Sequence, residues 1–337
     1  MNNKVFQATI NKLANSEMEI ILEINKDKLE ERRAKILKQY AENTELPGFR
    51  KGKAPENLIV ERVGEIKILE EAAEETVREI YPQVLAEHQI QAIGRPDVSI
   101  TKLARGNELG VKIKTAVVPE VKLADYKKIA TEDKSVVQEN PEITDEEVEK
   151  VIESVQQARK DGEGKVPEID DDFARELGNF ADLADLKQKI RENLRRDKKH
   201  REKSKKRTAI IDKIINSSKI ELPEILVASE LEKMLAEFKE QIESAGMAFK
   251  DYLDKIKSDE EKIRKDWRPQ AEKRAQGQLV LNKIAAVENI TADPKILEQE
   301  VEKIMREYPS ADRSRAEIFV ETILINNAVL EFLEKQE

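Results

Sequence analysis

Cysteine is absent from this chain of 337 residues, and histidine occurs only twice, at His88 and His200. Without cysteine the chain has no disulfide, no thiolate nucleophile and no cysteine-ligated metal. The two histidines are far apart and form no HExxH motif, and the glycine-rich signatures of nucleotide binding are also missing. We therefore expect no enzyme active site, no metal and no cofactor.

Aromatic residues make up only 4% of the chain, and no segment offers the run of about 18 apolar residues that a membrane helix needs. The N-terminal segment also lacks the apolar stretch of a secretory signal peptide. We therefore expect a cytoplasmic protein that does not contact membranes. Charged residues are abundant, at 38%, and the formal net charge is -9. An anionic partner therefore has to be met by a local basic patch.

The first part of the chain has the pattern of a mixed domain. Alternating apolar residues predict two strands before Lys26 and two more after about Asp97, and residues of helical periodicity lie between them. The resulting order, ββαααββ over residues 1–118, is typical of an α+β domain. Residues 119–143 are polar and weakly periodic, which predicts an extended linker.

The remaining residues, 144–337, predict an all-α domain. Its first helix begins with the capping-box pattern of Thr144 and Glu147, and several of the helices that follow are long. Because a helix rises 1.5 Å per residue, we expect such helices to project as arms from the domain.

A basic loop, residues 48–55 (GFRKGKAP), lies between two predicted helices of the first domain. Cations on an exposed turn suit phosphate or carboxylate groups, and a neighbouring phenylalanine can add an apolar anchor or stack on a base. The alternative is a solvated connector between two helices. The residues that would bind a partner or shape the loop are Gly48, Phe49, Arg50, Lys51, Gly52, Lys53 and Pro55.

A second basic segment, residues 191–207 (RENLRRDKKHREKSKKR), falls inside a predicted helix. It could present a phosphate-binding face, but three carboxylates interrupt it and no aromatic residue interleaves with the cations. We favour a solvated arm helix and keep electrostatic contact with RNA or with acidic client segments as the alternative.

Apolar side chains of the helical part form either its core or a surface for other chains. Thin helical arms cannot bury every face, so some of these side chains are expected to contact apolar segments of other chains. The candidates for such binding are Met234, Phe238, Met247, Phe249, Tyr252, Met305, Tyr308 and Phe319.

The basic loop, IQAIGRP at residues 90–96, VVPEVKL at 117–123 and ELPEILVASELEKM at 221–234 together resemble the bacterial trigger factor family. The resemblance implies an ATP-independent chaperone that docks at the exit tunnel of the large ribosomal subunit. Its expected partners are a ribosomal protein and ribosomal RNA, bound by the basic loop, and nascent or unfolded polypeptides, sheltered between helical arms. The resemblance also allows a homodimer when the protein is free of ribosomes.

The sequence departs from the family in one respect. Members usually carry an FKBP-like prolyl isomerase domain between the linker helix and the helical body, whereas here the short segment 161–167 (DGEGKVP) leads directly to Asp170 and the next helix. We therefore expect this domain, and its isomerase activity, to be absent. Two alternatives are an isomerase by family inheritance and a SurA-like periplasmic holdase. The first alternative lacks the isomerase domain. The second is disfavoured because the expected signal sequence is missing and because a basic loop is present.

Overall fold

The structure is a computed structural model that describes residues 5–43, 49, 53, 55–132, 140–160 and 166–336. Residues in contact group into two compact units, each built from two segments. The first unit comprises Met1–Lys122 and Ile220–Gln278, and the second comprises Leu123–Lys219 and Leu279–Glu337.

The order of elements confirms the predicted ββαααββ start and the helical remainder, in which the two-residue strand β6 is the exception. None of the helices in the described ranges is long and apolar enough to cross a membrane. The elements are β1 (Phe6–Lys12), β2 (Glu17–Ile24), α1 (Lys26–Asn43), α2 (Glu56–Val63), α3 (Glu65–Glu87), β3 (Ala92–Lys102), β4 (Leu109–Val117), β5 (Val121–Lys122), α4 (Tyr126–Thr131), α5 (Asp145–Ala158), α6 (Asp171–Leu177), α7 (Leu183–Ser217), β6 (Lys219–Ile220), α8 (Glu224–Ser244), α9 (Phe249–Ile256), α10 (Glu260–Glu288), α11 (Pro294–Glu307) and α12 (Arg313–Glu334).

An antiparallel four-stranded sheet of order β1-β2-β4-β3 lies in the first unit. Strands β2 and β4 occupy its centre and pair in a register that places Ile20 opposite Ile113 and Leu22 opposite Val111. Because side chains alternate along a strand, these four residues face the same side of the sheet, and all of them are fully buried. Polar partners on the other face, such as Lys112 and Glu19, pair at the surface.

Helices α1 and α3 cover the apolar face of this sheet. The buried stripe of α3 repeats at three- and four-residue spacing, as expected for a helix that packs through one side. The core that results combines strand and helix residues. Its fully buried large side chains are Ile20, Leu22, Ile24, Leu29, Ile59, Ile68, Ile80, Leu109 and Ile113.

The third strand begins earlier than the sequence predicts. We expected it near Asp97, but β3 starts at Ala92 and contains a register irregularity between Ile93 and Asp97. Gly94, with a φ of 72°, lies inside this irregularity. A glycine with positive φ and the following Pro96 resemble a chain break in sequence, although here they form a bulge within a continuous strand.

Helix α8 packs against the sheet within the first unit. The hydroxyl of Ser16 donates a hydrogen bond to the carbonyl of Glu221 at 2.9 Å, just before α8. A Cβ atom added to Gly94 would lie 1.8 Å from Cδ1 of Ile225. Glycine at position 94 therefore serves two purposes, because it allows the positive φ and leaves room for the Ile225 side chain.

In the second unit, α5, α6 and α7 enclose a small core around Ile143, Val148, Ile152 and Phe173. The predicted capping box is confirmed, since the Thr144 hydroxyl accepts from the Glu147 amide and the Glu147 carboxylate accepts from the Thr144 amide. A separate cluster joins α11 and α12.

The segment predicted as an extended linker, 119–143, is not extended throughout. It contains β5 and the six-residue helix α4, whose N-cap Asp125 accepts a hydrogen bond from the amide of Lys128. Helix α4 is held within the second unit, because Tyr126 and Lys127 both bind the carboxylate of Glu288. The domain limits predicted at residues 118 and 143 remain predictions.

Candidate functional site

The basic loop joins the end of α1 to the start of α2. Phe49, Lys53 and Pro55 are within the described residues, and Gly48, Arg50, Lys51 and Gly52 lie outside them. Phe49 is 43% exposed, which is a large value for an aromatic side chain, and Lys53 is exposed as well. Pro55 is the N-cap residue of α2, with φ -61° and ψ 146°, so it precedes the first helical residue. The described part of the loop thus presents an aromatic ring and a cation to solvent.

A buried arginine fixes the C-terminal attachment of the basic loop. Arg33 of α1 is 3% exposed, and its Nη1 lies 2.8 Å from Oε1 of Glu56, the first residue of α2. The same guanidinium makes two bonds to Glu65, the first residue of α3, at 2.7 and 2.8 Å. Hydrogen bonds from Arg33 hold the pKa of Glu65 below its ordinary value. One side chain therefore connects α1, α2 and α3.

Tyr40 fixes the other attachment, in the last turn of α1. Its hydroxyl donates a hydrogen bond to the carboxylate of Glu71 in α3. This hydrogen bond, together with burial and the negative charge of Glu71, raises the pKa of Tyr40. Lys67 of α3 also lies over the Tyr40 ring, 6.0 Å from its centroid. Both ends of the basic loop are thus attached to a packed helical layer.

An open cleft of about 400 Å³ lies beside these attachments. It is bounded by α1, by the start of α2 and by Arg105 in the turn between β3 and β4. Arg105 and Lys38 are exposed cations on its rim, and Arg105 lies 3.9 Å from Glu56. Neither cation was among the predicted site residues. Lys38 belongs to α1, which precedes the basic loop, and Arg105 is distant in sequence and is brought to the cleft by the fold.

The client-binding candidates on α8 and α9 are more buried than a binding surface requires. Met234 is 6% exposed and packs in a core with Val227, Leu231 and Ala271. Phe238 contacts three aromatic rings edge-on, with centroid distances of 5.2 Å to Trp267, 5.4 Å to Tyr252 and 6.0 Å to Phe249. We therefore correct the interpretation of Met234, which is a core residue. Phe238, Met247, Phe249 and Tyr252 are half-buried.

The client-binding candidates in the second unit also differ in how much of each side chain is exposed. Met305 is half-buried against the core of α11 and α12, whereas Tyr308 and Phe319 are each 60% exposed. The sequence analysis missed Ile318, which is 66% exposed. A signal was available, because Ala316 and Val320 mark the buried stripe of α12 and Ile318 falls on the opposite side of the helix.

The described residues provide no obvious centre for catalysis. They contain no group of three or more His, Asp or Glu side chains that could hold a metal ion. Several carboxylates have lowered pKa values because they accept hydrogen bonds from nearby cations, as for Glu302, whose pKa is lowered by a hydrogen bond from Arg313. The arrangement favours binding through charged and apolar surfaces.

Two family models match the chain. The model described as bacterial trigger factor protein matches residues 6–155, and the model of the trigger factor C-terminus matches residues 182–333. The chain belongs to the bacterial trigger factor family. The match confirms the resemblance inferred from the basic loop and the three other segments.

Curated relatives give the same result. The trigger factor of Halalkalibacterium halodurans is 25% identical in an alignment that covers 88% of this chain and 89% of the relative. The trigger factor of Clostridium botulinum is 23% identical, with 96% of this chain and 97% of the relative covered. A solved structure, described under promiscuous substrate recognition in folding and assembly activities of the trigger factor chaperone, matches with a TM-score of 0.58 at 16% identity and covers 98% of this chain and 99% of the other. It shows the same fold.

The isomerase domain of the family is missing, as predicted. The two family matches leave only residues 156–181 between them, and the described part of this segment holds the end of α5 and the short helix α6. The alignment with the Clostridium botulinum protein runs over 424 positions, more than the 337 residues of this chain. Part of that relative therefore has no counterpart here.

Proposed function

We propose that this trigger factor is an ATP-independent chaperone that docks at the exit tunnel of the large ribosomal subunit through the basic loop. The observation that carries the proposal is the exposure of Phe49 beside a cationic sequence, on a loop whose two ends are attached to the layer of α1 and α3 through Tyr40 and Arg33. A rigid base lowers the entropic cost of ordering the loop on a partner. Ribosomal RNA and an acidic ribosomal protein are the partners that the charges suit.

We also propose that the helical part holds nascent or unfolded polypeptides. Tyr308, Ile318 and Phe319 support this, because each leaves 60% or more of a large apolar side chain exposed. Exposed apolar surface of this kind is typical of interaction sites. The half-buried aromatic cluster around Phe238 is a second candidate surface, in which side-chain movement would be needed to admit a client.

Co-sedimentation with large ribosomal subunits tests the docking. The variant Phe49→Ala, Arg50→Ala, Lys51→Ala is expected to lose at least about tenfold in affinity, since it removes the apolar anchor and two cations. A control variant removes one exposed apolar side chain and two cations elsewhere in the first unit, at Ile66, Lys262 and Lys265, each to Ala. Equal binding by the two variants contradicts the proposal.

We further propose that the protein does not catalyse prolyl isomerisation, because the domain that does so in the family is missing. A refolding assay limited by a proline isomerisation step is expected to show the uncatalysed rate at every concentration of this protein. Acceleration in proportion to protein concentration would show that another part of the chain has this activity.

A further inference from the structure

Helix α7 carries the strongest local charge in the chain. Between residues 191 and 207 there are ten lysines and arginines and three carboxylates, in a protein whose net charge is -9. We call residues 191–207 the basic segment of α7. Interhelical ion pairs account for four of its cations, all within the second unit. These pairs are Arg191 with Asp145, Lys198 with Glu147, Lys203 with Glu334 and Arg207 with Glu334.

The other six cations have no carboxylate within ion-pair distance among the described residues. Glu192, the first carboxylate of the segment, bonds with Gln188 and Lys189, which lie outside the segment. These six cations are Arg195, Arg196, Lys199, Arg201, Lys205 and Lys206, and Glu192, Asp197 and Glu202 lie three or four residues from them along the helix.

Cations of the basic segment, paired and unpaired, lie in rows along the helix. Residues three and four apart are neighbours on a helix surface, so Lys198, Arg201 and Lys205 form one row and Arg195 and Lys199 belong to a second. Carboxylates of the segment lie at the same spacing and offset part of the repulsion between these cations. The segment still carries ten cations against three carboxylates, and an extended anionic partner would neutralise this excess. The excess favours a bound polyanion over the solvated arm that the sequence suggested.

The composition of the segment indicates which polyanion fits. The basic segment has no Phe, Tyr or Trp, and His200 is its single imidazole, so it lacks the series of aromatic rings on which the bases of a single strand stack. The six cations from Arg195 to Lys206 extend for about 16 Å along the helix axis. A duplex presents closely spaced phosphates over such a length, and lysine and arginine bind them without regard to sequence.

We propose that the basic segment of α7 binds the phosphate backbone of double-stranded RNA. This interaction goes beyond docking through the basic loop, which lies in the first unit. The choice of RNA over DNA rests on the proposed function, because a chaperone at the ribosome meets RNA duplexes. The phosphate contacts themselves do not depend on that function.

Fluorescence anisotropy of a labelled short RNA duplex tests the proposal with the full chain. A quadruple variant replaces four of the six cations outside the interhelical ion pairs, and glutamine is used because it maintains helix propensity. Its substitutions are Arg196→Gln, Lys199→Gln, Arg201→Gln and Lys205→Gln.

The control variant makes the same change in net charge where cations and carboxylates are balanced, in residues 249–266 of α9 and α10. The four lysines that the control variant replaces are all exposed. Its substitutions are Lys250→Gln, Lys255→Gln, Lys262→Gln and Lys265→Gln.

At about 50 mM salt we expect the α7 variant to bind at least about tenfold more weakly than the unchanged protein. The slope of log K against log salt concentration should become less negative by about 3 to 4, because four phosphate contacts are lost. The control variant should bind within about twofold of the unchanged protein, and circular dichroism should show equal helix content in all three. The variant of Phe49, Arg50 and Lys51 should bind the duplex normally, which separates this proposal from the docking proposal.

Three results would overturn the proposal. The first is no binding at about 50 mM salt, where electrostatic binding is strong. The second is an equal loss in the α7 and control variants, which would indicate a response to net charge alone. The third is preference for another polyanion. If poly-glutamate competes as well as RNA per charge, the segment is a site for acidic polypeptides, and if a DNA duplex binds more tightly, the assignment to RNA is wrong.

Discussion

Arg33 and Glu65 form a two-point ion pair between α1 and α3, with Nε to Oε1 at 2.7 Å and Nη2 to Oε2 at 2.8 Å. The arginine side chain is 4% exposed and the glutamate side chain 29% exposed, so the pair lies at the edge of the core. A planar guanidinium can bind one carboxylate at two points and still reach another, and here it reaches Glu56. The ammonium group of a lysine could not reproduce this arrangement.

Replacing Arg33 with Met should destabilise the contact between α1 and α3. Glu56 and Glu65 would lose their shared partner, but both retain access to water, so we expect a loss of about 1 to 3 kcal/mol, below that for a fully buried pair. Arg33→Lys should lose less stability than Arg33→Met, because lysine keeps the positive charge. Hydrogen exchange of α1 and α3 amides measures the effect, with Arg78→Met on exposed α3 surface as the control. Equal exchange in the Arg33→Met and Arg78→Met proteins would contradict the prediction.

The same ion pair makes the first unit sensitive to acid. The hydrogen bond from Arg33 lowers the pKa of Glu65 below its ordinary value of 4.5, so the carboxylate binds protons less readily in the folded state. Its contribution to the free energy of unfolding is complete above pH 4.5 and is lost as the pH falls through the lower, folded pKa.

An acid titration of hydrogen exchange in α1 and α3 measures this effect. In Glu65→Gln the protection should be lower at pH 7 and should fall less steeply below pH 4.5 than in the unchanged protein. If both proteins lose protection with the same slope, another group controls the transition.

Gly94→Ala should weaken the packing of α8 on the sheet. The added methyl group would lie 1.8 Å from Cδ1 of Ile225, and alanine also disfavours a φ of 72°. Gly106→Ala is a matched control, because Gly106 has a φ of 74° and nothing within 4 Å of the added atom. We expect Gly94→Ala to cost about 1 to 3 kcal/mol more than Gly106→Ala.

Thermal unfolding followed by circular dichroism measures this difference. Ile225→Val removes Cδ1 and should recover part of the stability of Gly94→Ala, since the two residues are in contact. Additive effects of the two substitutions would mean that the strain arises from the backbone of Gly94 alone.

Exposed apolar residues of α12 should contribute to holding clients without supporting the fold. Replacing Ile318 and Phe319 with serine should reduce the suppression of client aggregation by at least about twofold, because apolar contact area is lost. The control replaces two exposed polar residues of the same helix, Glu321 and Asn327, with serine. Light scattering of an unfolded client without nucleotide gives the readout. A similar loss in the control would point to helix destabilisation.

The cations on the rim of the cleft should assist docking. Lys38→Ala together with Arg105→Ala should weaken binding to large ribosomal subunits by several-fold at low salt. The effect should be smaller at high salt, because the screening length falls from about 30 Å at 0.01 M to about 3 Å at 1 M. The salt dependence distinguishes this effect from loss of the apolar anchor Phe49. Unchanged binding at low salt would exclude the rim from the docking surface.

The order of the elements and the start of α5 could be predicted from the sequence. The capping box of Thr144 and Glu147 marks that start locally, without any tertiary contact. The early start of β3 was missed, since Gly94 and Pro96 signal a turn unless their tertiary neighbours are known. Local sequence patterns thus predict most helices and strands. Departures from these patterns, such as the early start of β3, depend on tertiary packing.

The candidate sites show the same limit. The basic loop was recognisable from its residues, but its attachment through Arg33 and Tyr40 was not, because those residues resemble others in charged helices. Met234 and Phe319 both lie in apolar stretches of helical sequence, and only the packing shows that the first is buried and the second exposed. Which helix lies opposite a side chain is not encoded in the periodicity of one helix.

The hydrogen bond between Ser16 and the carbonyl of Glu221 joins residues that are 205 positions apart. At translation rates of about 5 to 20 residues per second, roughly 10 to 40 s pass between the synthesis of these two residues. During that interval the sheet can form, but the surface that receives α8 around Gly94 is still uncovered. A newly made copy of this chaperone therefore passes through a stage at which it exposes incomplete surfaces itself.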